Sequence, residues 1–336
     1  MEFPFSIYSL AFVAAFVTTW TTHPLWTTVC YRLGMIDDPG HRKIHHQPTP
    51  LSGGPSVLGG ILIPLLGGVM LFFLLPSIRH LLGSGVLLPM SHGLDRRQNE
   101  LLVLLAGCVG MTLLGLVDDR IELSPSVKFS GQVIIALATA AAGLRITLFV
   151  PSIWFSYAVT VFWILAITNA FNFLDNMNGL CGGLGIITLW GCGWIAASRG
   201  QYLVAILAFL ASGALAGFFP YNFPKGAAFL GDAGSHLVGY LAAVMTILPH
   251  YYSSGDPVLS PWAVLTPLFI LAIPLGDLAY VVLLRWRMGK PFYIGDTNHI
   301  SHRLVRRGFS RTTAVLLILA AAALTTWVGV IFAGRR

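Results

Sequence analysis

The sequence predicts an all-α polytopic membrane protein with about ten transmembrane helices. Three observations carry that prediction. The 336-residue chain is 56% hydrophobic and only 10% charged, whereas an ordinary soluble domain carries about 25% charged residues. Runs without Asp, Glu, Lys or Arg recur along it, at 3–31, 44–78, 146–174, 176–198, 200–224, 233–255, 257–276 and 312–334. A spanning helix needs about 20 mainly apolar residues, so most of these runs are long enough to cross a bilayer. The charged residues that remain collect in the gaps between them. Together these observations exclude a soluble globular domain and a disordered chain. Glycine and proline follow no repeating register, which excludes collagen-like and low-complexity readings. No second domain separates, so 1–336 reads as one integral membrane domain.

The elements follow in order. The first helix falls near 6–29, and with Arg32 as its first basic residue it reads as a permanent anchor rather than a cleaved leader. After it comes DDPGHRKIHHQPTPLSGG (37–54), then a second helix near 56–76. A hydrophilic stretch at 77–100 leads to a third helix near 101–117, which ends in GLVDDR (115–120). The fourth, near 128–144, opens with VKFSGQ (127–132); it is short, holds Gln132 and leans on Lys128 snorkelling to the interface. The fifth, 153–173, runs into NAFNFLDNMNGL (169–180). The sixth and seventh lie near 182–198 and 201–219, followed by YNFPKGAAFLGDAGS (221–235). The eighth is near 233–249, the ninth near 262–284, and the tenth near 313–333, after a hydrophilic stretch at 285–311.

Ten crossings place both termini on one side. Loops after odd-numbered helices hold most of the Lys and Arg, including Arg32, Arg42, Lys43, Arg120, Lys128, Lys225, Arg285, Arg287, Lys290 and Arg303. The positive-inside rule puts those loops in the cytoplasm and the termini outside. The same loops also hold Asp37, Asp38, Asp118, Asp119, Glu122, Asp175, Asp232 and Asp296, with His41, His45, His46, His299 and His302. The opposite face has only Glu2, Asp95, Glu100 and Asp256. Acids contribute little to topology, so their gathering on one face asks for a chemical reason.

Carboxylates at helix ends can converge on a shallow cytoplasmic cavity. Such hard oxygen ligands suit Mg²⁺, with Mn²⁺ as a substitute, and a substrate phosphate can complete the coordination. Asp118 and Asp119 are adjacent like charges that favour a cation between them and a ligand. The glycines at 179, 182, 183 and 185 allow close backbone approach. No P-loop and no Cys/His set with zinc spacing occurs. The four cysteines, Cys30, Cys108, Cys181 and Cys192, form no CxxC pair and read as packing residues. The net charge of +7 fits a basic cytoplasmic face, with no module for nucleic acid.

Six segments, in order and on one face, resemble the polyprenyl-phosphate N-acetylhexosamine-1-phosphate transferases of the glycosyltransferase family 4 type. They are the motifs at 37–54, 115–120, 127–132, 169–180 and 221–235, and PLGDLAYVVLLRWRMGKPFYIGDTNHISHRL at 274–304. The resemblance implies an Mg²⁺-dependent phosphoglycosyltransferase of the bacterial inner membrane with its active-site loops in the cytoplasm. It would transfer a sugar-1-phosphate from a UDP-sugar to undecaprenyl or another polyprenyl phosphate and release UMP. The product would be a lipid-linked diphosphosugar for cell-envelope glycans such as lipopolysaccharide. Homodimers are common in that family. By resemblance, Asp232 binds the metal with Asn178. Asp118, Asp119, Asp175 and Lys128 are catalytic. Asn172, Asn222, Phe229, Lys43, His45, His299, His302 and Arg303 bind substrate, with Phe229 stacking on uracil. The chain departs from the family pattern at Asn178, where an Asp is usual, and in the thinned histidine loop His299-Ile300-Ser301-His302. Two other readings stand beside the transferase: a membrane transporter or flippase, whose ionisable groups would lie near the midplane, and a non-catalytic lipid-binding relative.

Overall fold

The computed structural model describes residues 5–38, 48–74, 84–148, 150–249, 251, 261–291 and 297–334. The described residues are helical almost throughout. The helices are α1 (Phe5–Leu33), α2 (Gly53–Leu74), α3 (Ser84–Ile121), α4 (Pro125–Ala141), α5 (Ile153–Leu174), α6 (Leu180–Ser198), α7 (Tyr202–Asn222), α8 (Gly231–Ile247), α9 (Thr266–Ile270), α10 (Ala272–Arg287), α11 (Ile300–Arg306) and α12 (Arg311–Gly334). Between α1 and α2, β1 (Ile36–Asp37) pairs antiparallel with β2 (Thr49–Pro50), Ile36 opposite Pro50.

Each expected apolar stretch is largely helical over its described residues, and the local signals explain the starts. Ser124 caps α4, accepting from Val127 N at 3.4 Å, and Pro125 takes the first position, where no N–H is needed. Ser152 caps α5 in the same way. Seven helices among the described residues are long and apolar enough to cross a membrane, or eight if one bent pair counts as a span. That is fewer than the expected ten. The difference lies in α4 and α8, 17 residues each, and in the ninth stretch.

The ninth stretch is not one continuous helix. A 3-10 turn (Pro261–Leu265) and α9 meet α10 at a bend of 74°. Pro274 has no N–H to give the Ile270 carbonyl. Thr326 Oγ1 takes up that carbonyl instead, at 3.5 Å. Two expected loops also contain helix. The stretch 84–100 belongs to α3, which turns at Arg97 (φ −122°, ψ 16°), and 300–306 forms α11.

The core is built around α8. It packs against α2, α3, α5 and α6, and every residue from Ala233 to Thr246 is buried. Small residues permit this crowding. A Cβ on Gly54 would stand 2.7 Å from Gly234 N, and one on Gly115 would collide with the backbone of Ala233. The helices α2 and α3 thus touch the first turn of α8 backbone to backbone. A second layer is formed by α7 against α1 and α6.

Candidate active site

A cavity of about 730 Å³ opens where α3, α5 and α7 end and α8 and α12 begin. Asp118, Asp119, Asp175 and Asp232 all line it, as do Asn172, Asn178, Asn222 and Phe229. Residues far apart in sequence meet here because successive long helices return to the same end of the bundle.

Lys128 is the cationic centre of the cluster. Its Nζ lies 2.7 Å from Asp118 Oδ2 and 3.1 Å from Asp232 Oδ2. The other oxygen of Asp118 accepts from Leu123 N at 2.8 Å. Asp119 is fully committed as well: Oδ1 accepts from Asp232 N at 2.7 Å and Oδ2 from Ala233 N at 3.1 Å. It is a cap for α8 supplied by another helix, and it satisfies donors that have no intrahelical partner. Gly231, at φ +67°, makes room; a Cβ there would meet Asp119 Oδ2 at 2.6 Å. Asn172 Nδ2 donates to Asp232 Oδ1 and, at 2.9 Å, to Ser235 Oγ.

Asp175 differs from its neighbours. It caps α5, and its carboxylate makes no hydrogen bond among the described residues. Protein surrounds it except toward the cavity. Burial, and then the Asp232 and Asp119 carboxylates, push it up to about 8.

The family model for glycosyl transferase family 4 matches residues 101–250. The decaprenyl-phosphate N-acetylglucosaminephosphotransferase of Mycobacterium tuberculosis is 31% identical over 347 residues, covering 96% of this chain and 80% of that protein. A probable undecaprenyl-phosphate N-acetylglucosaminyl 1-phosphate transferase of Bacillus subtilis is 29% identical over 317 residues, covering 92% of this chain and 80% of that relative. The undecaprenyl-phosphate alpha-N-acetylglucosaminyl 1-phosphate transferase of Escherichia coli K12 is 29% identical over 316 residues, covering 90% and 78%.

This chain belongs to glycosyl transferase family 4. The matched segment contains the four carboxylates and Lys128, and it stops short of Asp277 and the histidine loop.

In this family 4 protein, several residues expected at the site are bonded to the protein itself or stand away from the cavity. Asn222, read as a nucleotide contact, spends both ends of its amide on backbone. Its Oδ1 accepts from Gly179 N at 2.6 Å and its Nδ2 donates to Ala228 O at 2.8 Å. It pins the turn before α6 to the loop before α8. His299, His302 and Arg303 do not line the cavity. Asp277 draws His299 into a buried pair, with His299 Nδ1 2.6 Å from Asp277 Oδ2, and its other oxygen accepts from Ile300 N at 2.7 Å. Arg303 stacks on Tyr280, 4.1 Å from the ring centroid. Asp118 and Asp119, read as catalytic acids, have all four oxygens engaged by the protein. Lys43 and His45 lie outside the described residues.

Sequence reasoning missed Asn176, Lys225 and Arg311, which also line the cavity. Asn176 and Lys225 sit inside motifs already noticed and could have been included on that ground. Arg311 opens α12 with no local signal beyond its charge. Asn176 Oδ1 also accepts from Ser301 Oγ at 2.6 Å, tying α11 to the end of α5.

The donor set fits a magnesium ion. Among the described residues no three His, Cys, Asp or Glu form a metal cage. Magnesium does not require one, since it is usually held by one or two carboxylates with substrate phosphates and water. Among the described residues the lining holds no His or Cys, and its carboxylates, Asp37, Asp118, Asp119, Glu122, Asp175 and Asp232, outnumber its bases, Lys225 and Arg311.

Proposed function

We propose that this chain transfers N-acetylglucosamine 1-phosphate from UDP-N-acetylglucosamine to a polyprenyl phosphate on the cytoplasmic face of the bacterial inner membrane. UMP leaves, and the product is a lipid-linked diphosphosugar. The observation that carries this reading is the convergence of Asp118, Asp119, Asp175 and Asp232, from three separate motifs, on one cavity, with Lys128 of a fourth motif bonded to two of them. Family membership, and the polyprenyl-phosphate acceptors and N-acetylglucosamine named for the relatives, support it.

Asp232 would hold Mg²⁺. Asn178, whose Nδ2 is spent on the Pro224 carbonyl at 3.3 Å, keeps its carbonyl oxygen as a second donor. When bound, the ion screens the meeting of two anions and stabilises charge developing on UMP. The chain's own residues do the positioning. Lys128, held between Asp118 and Asp232, presents an ammonium to the incoming phosphates. Phe229 offers a ring on the cavity wall for the uracil face. Lys225 and Arg311 add positive charge at the mouth. The lipid phosphate oxygen attacks the β-phosphorus of the UDP-sugar, and the bond from that phosphorus to the UMP oxygen breaks. A dianionic phosphate needs no base. Aligning the two reactants can supply roughly 7–11 kcal/mol in favourable cases, so a covalent enzyme intermediate is not required.

The test is UMP release by detergent-purified protein given undecaprenyl phosphate, Mg²⁺ and a panel of UDP-sugars. UMP is expected only with lipid, metal and UDP-N-acetylglucosamine together. Release that persists in EDTA would overturn the metal role. Release with another sugar alone would overturn the donor, and silence across the panel from folded protein would overturn the reaction.

A further inference from the structure

The salt bridge of Lys128 to Asp232 is the top rung of a longer ladder. Helix α4 packs on α3 and α5. It reaches α8 through side chains. One turn below Lys128, Gln132 Nε2 lies 3.1 Å from Nε2 of His236, itself one turn below Asp232. Deeper still, Thr139 Oγ1 meets Tyr240 Oη at 2.9 Å. The order 128, 132, 139 against 232, 236, 240 makes three polar rungs between two helices running the same way. Gln132, Thr139, His236 and Tyr240 are all buried.

The second rung has a fixed polarity, traceable to one carbonyl. Asn169 Nδ2 donates to Leu165 O at 2.8 Å, and a carbonyl can only accept. The same Nδ2 donates to Gln132 Oε1 at 2.7 Å. Gln132 must therefore turn its NH₂ toward His236, whose Nε2 accepts. The proton of His236 then sits on Nδ1, and Nδ1 has no partner among the described residues. An orphaned buried donor is destabilising, because it gives up water and gains no partner. Apolar side chains would fill this position without that cost, so the imidazole earns its place by holding Gln132.

We propose that Gln132 and His236, braced by Asn169, are positioning residues for the transfer reaction: they hold Lys128 in register with Asp232 from one turn deeper in the membrane. This rests on the reading of the cavity as a transferase site. Neither residue touches the cavity wall, and their effect passes through Lys128. Without the rung, α4 loses its nearest tie to α8, and the ammonium is free to drift from the carboxylate it serves.

The test compares wild type with His236→Leu, the double variant Gln132→Leu/His236→Leu, and His236→Gln, whose amide oxygen can reach the place of the imidazole Nε2. The double variant removes both ends of the rung together and leaves Asn169 Nδ2 its bond to Leu165 O, so it is expected to melt near the wild-type temperature. Its kcat is expected to fall roughly ten- to hundredfold, as small misplacements do, with the KM for the UDP-sugar nearly unchanged. His236→Gln is expected to keep the wild-type kcat. A rung that is only structural would give the opposite pattern: a lower melting temperature with kcat preserved. That result, or a His236→Gln as slow as the double variant, overturns the proposal.

A second readout does not depend on catalysis. Acylation of Lys128 by a small amine-reactive ester, followed by peptide mass spectrometry, reports whether its ammonium is still held. The rate is expected to rise several-fold in the double variant and to stay at the wild-type value in His236→Gln. Unchanged acylation in the double variant overturns the proposal. Wild type that releases no UMP from any donor would defeat the transferase reading instead, and the acylation rates would still decide whether the ladder holds Lys128.

Discussion

Asp175 is a carboxylate whose oxygens make no hydrogen bond among the described residues, and its environment makes its charge conditional. Pushed up to about 8, it is largely protonated at neutral pH when the cavity holds no cation. The ionised form is the one disfavoured by the fold, so it withdraws stability as pH rises through 8, unless a cation compensates it. Below that value a divalent ion must displace a proton. The protection that Mn²⁺ gives against thermal unfolding should therefore be greater at pH 8 than at pH 6, and Asp175→Asn should flatten the difference. Equal protection at both pH values in wild type would remove Asp175 from the ion's surroundings. In turnover, Asp175→Asn should lose about 10²-fold or more, the usual range for a group acting on reacting atoms. Asp119→Ala should act differently. It removes a cap worth about 1 kcal/mol, so its melting temperature should drop along with its activity, and Asp119→Asn, which keeps one acceptor, should recover part of both. Melting curves beside UMP assays separate the two residues. In sequence these acids look alike. Adjacency marked Asp118 and Asp119 as a pair, but only the fold shows that one grips Lys128 and the other caps α8, because side-chain direction at a helix end is set by what packs there.

Elements meet this site through close backbone approach, and glycine is what permits it. Gly115 on α3 faces the backbone of Ala233, one residue after Asp232. Gly115→Ala would push α3 away from α8, and with it both Asp118 and Asp119. The expected cost is about 1–3 kcal/mol, as for other overpacked interiors. Activity should fall further than stability, since the carboxylate cluster is what separates. Gly67→Ala on α2, where a Cβ meets nothing within 4 Å, should leave both unchanged. Thermal unfolding and UMP release on the two variants check this; equal effects would mean that the approach at Gly115 has slack. The apolar stretches were legible because burial in lipid demands a composition that nothing else imitates. The break at Leu271 was not. Pro267 and Pro274 were visible, but membrane helices tolerate proline when a neighbour satisfies the freed carbonyl, and here the neighbour is Thr326, more than fifty residues away. The His299–Asp277 pair was hidden for a similar reason: a histidine in a basic loop reads as exposed until a buried acid is found beside it.

For the whole molecule, the cavity constrains the topology. Asp118 and Glu122 at the end of α3 line it, and so do Asp175 to Asn178 at the end of α5. The span α5 begins at the far end of the bundle, because it must return to the cavity over 22 residues. The chain therefore travels from the cavity to that far end between Ile121 and Ile153, and α4 is the element that carries it. At 17 residues it is about 25 Å long, just short of an average hydrocarbon core of about 30 Å. Lys128 and the polar rungs below it explain how so short a helix is held there: Gln132 and Thr139 tie one face to protein, exposed Val127, Phe129, Ile134 and Leu137 make the other face apolar, and its charged end stays at the interface. This predicts that the loop before α5 faces the outside while the segment after α10 faces the cytoplasm. The native cysteines Cys30, Cys108, Cys181 and Cys192 are all buried, so a new exposed thiol can be read against a quiet background. In right-side-out spheroplasts an impermeant maleimide should label Pro151→Cys and spare Lys290→Cys until the membrane is opened. The reverse pattern would invert the protein. Protection of both sites would mean that α4 turns back without crossing, and the two acid-bearing helix ends would then need another route to the same cavity.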